Sequence, residues 1–313
     1  MDNILEIKNL NTGFTIEDNF YYALNDINLS FKKGQIHAIA GESGCGKSVL
    51  INSILKLLPK NGIIKSGEII FDNQDLLQLN NNKIRKIRGE QIALIPQDPF
   101  MSLNPLYTIE NQLLEIPILN NKKDAKEIIK KSLEEVKIKN IDNVLKSYPH
   151  ELSGGMKQRI IISMALISNA KLILADEPTT ALDVTVSNSI LNLLLELKNK
   201  GKTIILITHD LSIVSNYCDT TTIMYLGDVV EKATTEALFK NPQHPYTKAL
   251  LGALPNTKGK KLENIKGQIS PITDIIKGCK FNPRCNFTME KCTCIKPKLI
   301  KFNENYVACH LYD

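Results

Sequence analysis

Gly41-Glu42-Ser43-Gly44-Cys45-Gly46-Lys47-Ser48 lies between a short apolar run, Ile36-His37-Ala38-Ile39-Ala40, and a stretch from Ser48 to Leu58 whose apolar residues recur at helical spacing. Strand, glycine-bounded turn and helix in that order separate a phosphate-binding loop from a chance match. Glycines let successive backbone N–H groups turn inward at a helix N-terminus, where the helix dipole also favours an anion. Lys47 adds a point charge for β- and γ-phosphates, and the Ser48 hydroxyl is a ligand for Mg2+. The bland alternative, a Gly-rich surface loop, loses ground with each further part found along the chain.

At 313 residues the chain has room for a large α/β domain and a smaller appendage. Hydrophobic residues at 43% and charged residues at 23% are ordinary globular values, and no apolar run is long enough to span a bilayer. The opening Met1-Asp2-Asn3-Ile4-Leu5-Glu6 lacks a basic start and long apolar core, so a cytosolic protein is expected. A net charge of +6 is too small to argue for nucleic acid, and the basic clusters Lys83 to Arg88 and Lys258 to Lys261 read as solvated faces or loops. Of seven cysteines, five lie between Cys279 and Cys309, which in a reducing compartment points to metal rather than disulfides.

Ile4 to Leu10 and Asp26 to Phe31 alternate as half-buried strands, with Phe14 and the group Phe20, Tyr21, Tyr22 between them. Phe14 is the choice for stacking an adenine ring, against core packing. Gly67 to Phe71 and Gln91 to Ile95 read as further strands, the second running into Pro96-Gln97-Asp98-Pro99. The amide of Gln97 can accept from metal-bound water there and shift when the loop moves; a plain turn glutamine is the alternative. From Leu103 to Pro149 helical periods with charged faces take over, and this is read as an insertion. It ends in Leu152-Ser153-Gly154-Gly155-Met156-Lys157-Gln158-Arg159, a second small-residue turn opening a helix, where Ser153 caps and the N–H groups of Gly154 and Gly155 lie free for an anion. Lys171 to Ala175 is a buried strand with Asp176-Glu177 at its C-terminal end, where ligands of open α/β sheets collect. Asp176 is placed to hold the Mg2+ shell opposite Ser48, and Glu177 to polarise the water that attacks the γ-phosphate. His209 follows the strand Thr203 to Ile207 and is assigned to the γ-phosphate.

The order Gly41 to Ser48, Gln97, Leu152 to Gln158, Leu172 to Glu177, Ala181-Leu182-Asp183 and His209 resembles the nucleotide-binding domain of ABC transporters: Walker A loop, Q-loop, signature, Walker B, D-loop and H-loop. The resemblance implies an α/β P-loop NTPase fold with a RecA-like parallel sheet core, an N-terminal antiparallel β subdomain and a helical insertion. It also implies nucleotide contacts from Phe14, from the loop Gly41, Glu42, Ser43, Gly44, Cys45, Gly46, Lys47, Ser48 and Val49, and from Ser153, Gly154, Gly155 and Asp183. Catalysis falls to Glu177, His209, Lys47 and Gln97, and Mg2+ to Ser48, Gln97 and Asp176. Each ATP would lie in a head-to-tail dimer, between one chain's Walker A loop and the other's signature. Gln97-Asp98-Pro99, Ser102-Leu103-Asn104-Pro105, Tyr148 to Met156 and Asn241 to Leu251 are similar to the ATP-binding subunits of dipeptide, oligopeptide and nickel importers, and Met156 resembles the D-type subunit rather than its F-type partner.

The tail spaces its thiols C-x5-C-x6-C-x16-C through Cys279, Cys285, Cys292 and Cys309, with Cys294 spare and Cys218 elsewhere as packing. Four thiolates around a [4Fe–4S] cluster or around Zn2+ would organise a segment with little apolar mass. The spacing resembles the cysteine-rich C-terminal extension of peptide-importer ATPases, which favours the cluster; buried or free thiols are the alternative. The expected domains are 1–240 for the nucleotide-binding domain, with a helical subdomain at about 98–158, and 241–313 for the extension. The expected protein is the ATPase subunit of an importer of di- or oligopeptides, or of nickel or a metal chelate. It would be peripheral on the cytoplasmic side of the cell membrane, with two integral permeases, an F-type ATPase or a second copy, an extracellular binding protein acting indirectly, and no nucleic acid. Rival classes are a soluble ABC ATPase and an iron–sulfur redox sensor.

Overall fold

The structure, a computed structural model, describes residues 2–120, 122–180, 182–254, 265 and 267–313. Ala181 of the D-loop and the basic run Lys258 to Lys261 lie outside the described residues. The chain divides into two compact units, Met1–Gln78 with Ile207–Asp313 and Leu79–Leu206.

The first unit opens with an antiparallel hairpin, β1 (Asn3–Ile16) and β2 (Asn19–Lys32). Its strands run further than the alternation suggested, and Phe20, Tyr21 and Tyr22 lie inside β2. The cause is local: Glu17 and Asp18 take φ of 47° and 63°, the left-handed pair that a two-residue hairpin turn requires. After β3 (Ile36–Ala40), buried at every position, comes the loop helix Lys47–Ile54. It ends at Ile54 rather than Leu58 because Lys56 turns left-handed, φ 50°, ahead of Pro59. β4 (Gly62–Phe71) and β5 (Gln74–Asp75) complete a sheet ordered β2-β1-β4-β5.

The second unit holds the short parallel pair β6 (Ile92–Ile95) and β7 (Leu172–Asp176) and the helical insertion. Helices Pro99–Ser102, Ile109–Leu119 and Gly154–Ser168 start where Asp98, Thr108 and Ser153 accept from backbone N–H groups of the first turn. β8 (Thr203–Thr208), fully buried, contains the division between the units.

The remainder of the first unit adds β9 (Thr220–Tyr225), parallel to β3, then β10 (Asp228–Thr234), β11 (Ile300–Phe302) and β12 (Asn305–Val307), all antiparallel. The sheet is therefore mixed, and the last strands of the chain extend it rather than standing apart. Glu231 of β10, 0% exposed, fastens this region: its carboxylate accepts from the N–H groups of Gln243 (2.8 Å) and His244 (2.9 Å) and from Asn305 Nδ2 (2.7 Å). Tyr225, Tyr246 and Phe281 pack edge to face and tilted in one core, with ring centroids 4.7 to 5.2 Å apart, and Cys279 and Cys285 lie against it. The compact units thus cut across the sequence division at residue 240. Among the described residues no helix is long and apolar enough to cross a membrane.

Candidate functional site

Gly41, Gly44 and Gly46 take φ of 152°, 82° and 99°, the turn that only glycine makes without strain. A Cβ on Gly41 would stand 2.3 Å from the Met224 carbonyl, and one on Gly46 would stand 2.8 Å from that of Ala23, so neighbouring backbone also presses on the loop. Lys47 is 5% exposed and its Nζ donates to the carbonyls of Gly41 (2.8 Å) and Glu42 (3.0 Å), with Cys45 Sγ at 3.8 Å. Its charge is met by backbone dipoles, a partner set that phosphate oxygens can displace. Ser43, Gly44 and Ser48 are exposed, whereas Cys45 points inward and burial raises its thiol pKa. Phe14 is half-buried in β1, and His209 is exposed just after β8.

In the second unit, β7 delivers Asp176 at its last position, and Glu177 follows in the left-handed region, φ 46°. A glutamate holds that conformation at a cost of about 1–3 kcal/mol, the kind of strain that gathers at functional sites. Its Oε2 accepts from Thr180 Oγ1 (3.0 Å) and from Gln97 Nε2 (3.4 Å). Gln97 and Glu177, read separately in the sequence, are therefore partners. Ser153 caps the signature helix by accepting from the Met156 N–H (3.4 Å), and Asp183 caps the helix Val184–Asn199 by accepting from the Val186 N–H (2.9 Å). Both caps are exposed.

Cys279, Cys285, Cys292 and Cys309 line one cavity, with His244, Phe281 and His310 on its wall, while Cys294 lies exposed outside it. Burial pushes the Cys279 thiol up to about 12 and raises those of Cys285 and Cys309, so these are neutral thiols unless a metal takes the proton's place. The donor set fits a thiolate-held group. The space has room for about one water, so the side chains must swing outward to admit a cluster. Among the described residues no group of three or more His, Cys, Asp or Glu side chains is gathered to hold a metal ion.

Two residues outside the sequence-predicted site, Arg284 and Tyr246, reach the loop at Glu42. Arg284 forks onto Glu42, Nη1 to Oε2 at 2.8 Å and Nη2 to Oε1 at 3.1 Å, and the Tyr246 hydroxyl accepts from the Glu42 N–H at 2.9 Å. Tyr246 stands in the importer-like run from Asn241 to Leu251; Arg284 carries no comparable signal.

Glycine loop, strand-end acidic pair and capped signature turn define a class, the ATP-binding cassettes. The ABC transporter family model matches residues 24–180 and the model for the oligopeptide/dipeptide transporter C-terminal region matches 230–292. The chain is 43% identical to the oligopeptide transport ATP-binding protein OppD of Haemophilus influenzae, over 97% of this chain and 95% of that one. It is 41% identical to AppD of Bacillus subtilis, an oligopeptide transport ATP-binding protein, over 100% and 98%. Among solved structures it resembles the dimeric, post-hydrolysis ATP-binding cassette MJ0796 bound to ADP and Pi, with TM-score 0.66 and 28% identity over 74% of this chain and 98% of that one. It also resembles cbiO1 of Clostridium perfringens, with TM-score 0.66 and 31% identity over 77% and 92%. The chain belongs to the ABC transporter ATP-binding family, in the branch that carries the oligopeptide/dipeptide transporter C-terminal region. It is a transport-coupled ATPase, the ATP-binding subunit of an importer.

Proposed function

We propose that this subunit binds and hydrolyses Mg-ATP to drive uptake of di- or oligopeptides through two integral permeases, working from the cytoplasmic face of the membrane. Lys47 and the loop N–H groups bind the β- and γ-phosphates, and Phe14 stacks the base. Ser48 and Asp176 supply oxygen ligands suited to Mg2+, with Gln97 reaching its water; the ion, when bound, neutralises charge on the phosphates. Glu177 orients and deprotonates the attacking water, and His209 contacts the γ-phosphate. Ser153 to Gly155 and Asp183 meet the nucleotide held by the mate, an F-type subunit or a second copy. Residues 1–240 serve as the nucleotide-binding domain, with a helical subdomain at about 98–158, and 241–313 as its extension.

The observation that carries this reading is Glu177, strained at the exit of a buried strand with its carboxylate already shared by Gln97. Glu177→Gln should lower ATP turnover about 10²–10³-fold while ATP-dependent pairing of subunits persists; turnover at the wild-type rate would refute the base. Permease docking is supported by the exposed apolar side chains Phe100, Met101, Leu106 and Tyr107 beside Gln97 in sequence. Co-purification of two integral membrane proteins separates this reading from a soluble ABC ATPase. Cargo follows the permeases, so transport assays with peptide against nickel decide between the two.

The four cavity thiols, Cys279, Cys285, Cys292 and Cys309, are assigned a [4Fe–4S] cluster in preference to Zn2+, because a cluster spreads its thiolates over separate irons. Iron and acid-labile sulfide in anaerobically purified protein decide that assignment. An ATPase rate that changes with its oxidation state would support the redox-sensor reading.

A further inference from the structure

Two side chains from the far end of the chain meet at one residue of the phosphate loop. Arg284, on the short turn Asn282–Arg284 before Cys285, is 6% exposed at its side chain and pairs with Glu42 through two parallel N–H···O bonds. Its Nη1 also reaches the Tyr225 hydroxyl at 3.3 Å, and Nη2 the Gly267 carbonyl at 3.3 Å, so the guanidinium is aimed from several sides. Tyr246, 0% exposed and wedged against Tyr225 and Phe281, offers its hydroxyl to the Glu42 N–H. The carbonyl of the same Glu42 accepts from Lys47 Nζ. Side chain, N–H and carbonyl of one loop residue are thus each held, two of them from beyond residue 240.

A bidentate pair fixes orientation as well as distance; this one is part-buried, with the Glu42 side chain 28% exposed, so removing one member costs the fork and leaves the other only partly solvated. Loop N–H groups that are already aimed spare the ordering entropy that a mobile loop would lose on binding phosphate. We propose that Arg284 and Tyr246 are positioning residues for nucleotide binding: through Glu42 they preset the Walker A loop, so that ATP affinity depends on the C-terminal segment. This rests on the reading of residues 41–48 as the phosphate loop.

The test is titration of the full-length subunit with Mg-ATP by calorimetry, with kcat and KM measured on the assembled transporter. Arg284→Gln and Glu42→Gln should each weaken ATP binding about tenfold and raise KM, and Arg284→Gln should keep kcat within about twofold, since only ground-state loop order is lost. The double variant should bind no worse than either single one, and Arg284→Lys should recover only part of the loss, because an ammonium cannot make the fork. Tyr246→Phe removes one hydroxyl and keeps the packing; a loss of about two- to fivefold is expected from one hydrogen bond, and it serves where Arg284→Gln does not fold. Wild-type affinity in folded Arg284→Gln or in Tyr246→Phe overturns the proposal, as do additive losses in the double variant. A wild-type chain that binds ATP no better than Lys47→Ala would instead refute the phosphate loop itself.

Discussion

The two glycine corners of this chain open helices and invite anions, yet they are built in opposite ways. In the loop from Gly41 to Lys47 the glycines are required by their own backbone, with three positive φ values, and Lys47 is buried among carbonyls. At Ser153 to Gly155 the backbone is not left-handed, and a Cβ would meet only side chains: Leu182 and Phe100 at 3.3 Å from Gly154, Val186 at 2.6 Å from Gly155. The first corner is finished within its own unit. The second is exposed at Ser153, and the place of a Cβ on either glycine is already bordered by side chains of its own unit.

The contrast breaks most sharply at single methyl groups. Gly41→Ala drives a Cβ into the Met224 carbonyl at a left-handed φ, and ATP binding by the isolated subunit should vanish in calorimetry. Gly154→Ala needs only a side-chain adjustment, so the isolated subunit should still bind ATP with its affinity unchanged, while steady-state ATPase with the mate present falls.

Acid sharpens the comparison next. His37 and His244, both buried in the first unit, are depressed by burial from 6.5 to about 4 and about 3. The unfolded chain therefore takes up their protons first, and stability that is intact above pH 6.5 is lost as pH falls toward 4 and 3. Each contributes a loss on the order of 1 kcal/mol per pH unit in that window. The sole histidine of the second unit, His150, is exposed, so hydrogen exchange between pH 7 and 5 should show protection falling around residues 36–47 and 244–246 before it falls around Ser153.

The smallest effect is Ser153→Ala, which removes the hydroxyl accepting from Met156 N–H. It should lower stability by about 1 kcal/mol in a denaturant melt and leave ATP binding by the isolated subunit unchanged.

Much of this was legible in the chain itself because it is local. Residues 36–58 announce strand, turn and helix, and Asp176-Glu177 stands directly after four apolar residues. Local chemistry also hid what it did not encode. The strands stretch to Ile16 and Lys32 because of two positive φ values at Glu17 and Asp18, not because of alternation. Arg284 meets Glu42 across 242 positions, a separation at which neither periodicity nor spacing carries a signal. Cys279, Cys285, Cys292 and Cys309 line a shared cavity and Cys294 lies outside it, yet the short strands β11 and β12 that fasten their segment to β10 were missed, each being only three residues long.

The grip on Glu231 bears on how this protein is handled at the bench. A recombinant fragment ending at residue 240 would strip three donors from the Glu231 carboxylate and uncover the edge of β10 that β12 pairs with. Such trimming, natural as it looks from the sequence division at residue 240, is a recipe for inclusion bodies; expression vectors should carry the gene through Asn305 at least.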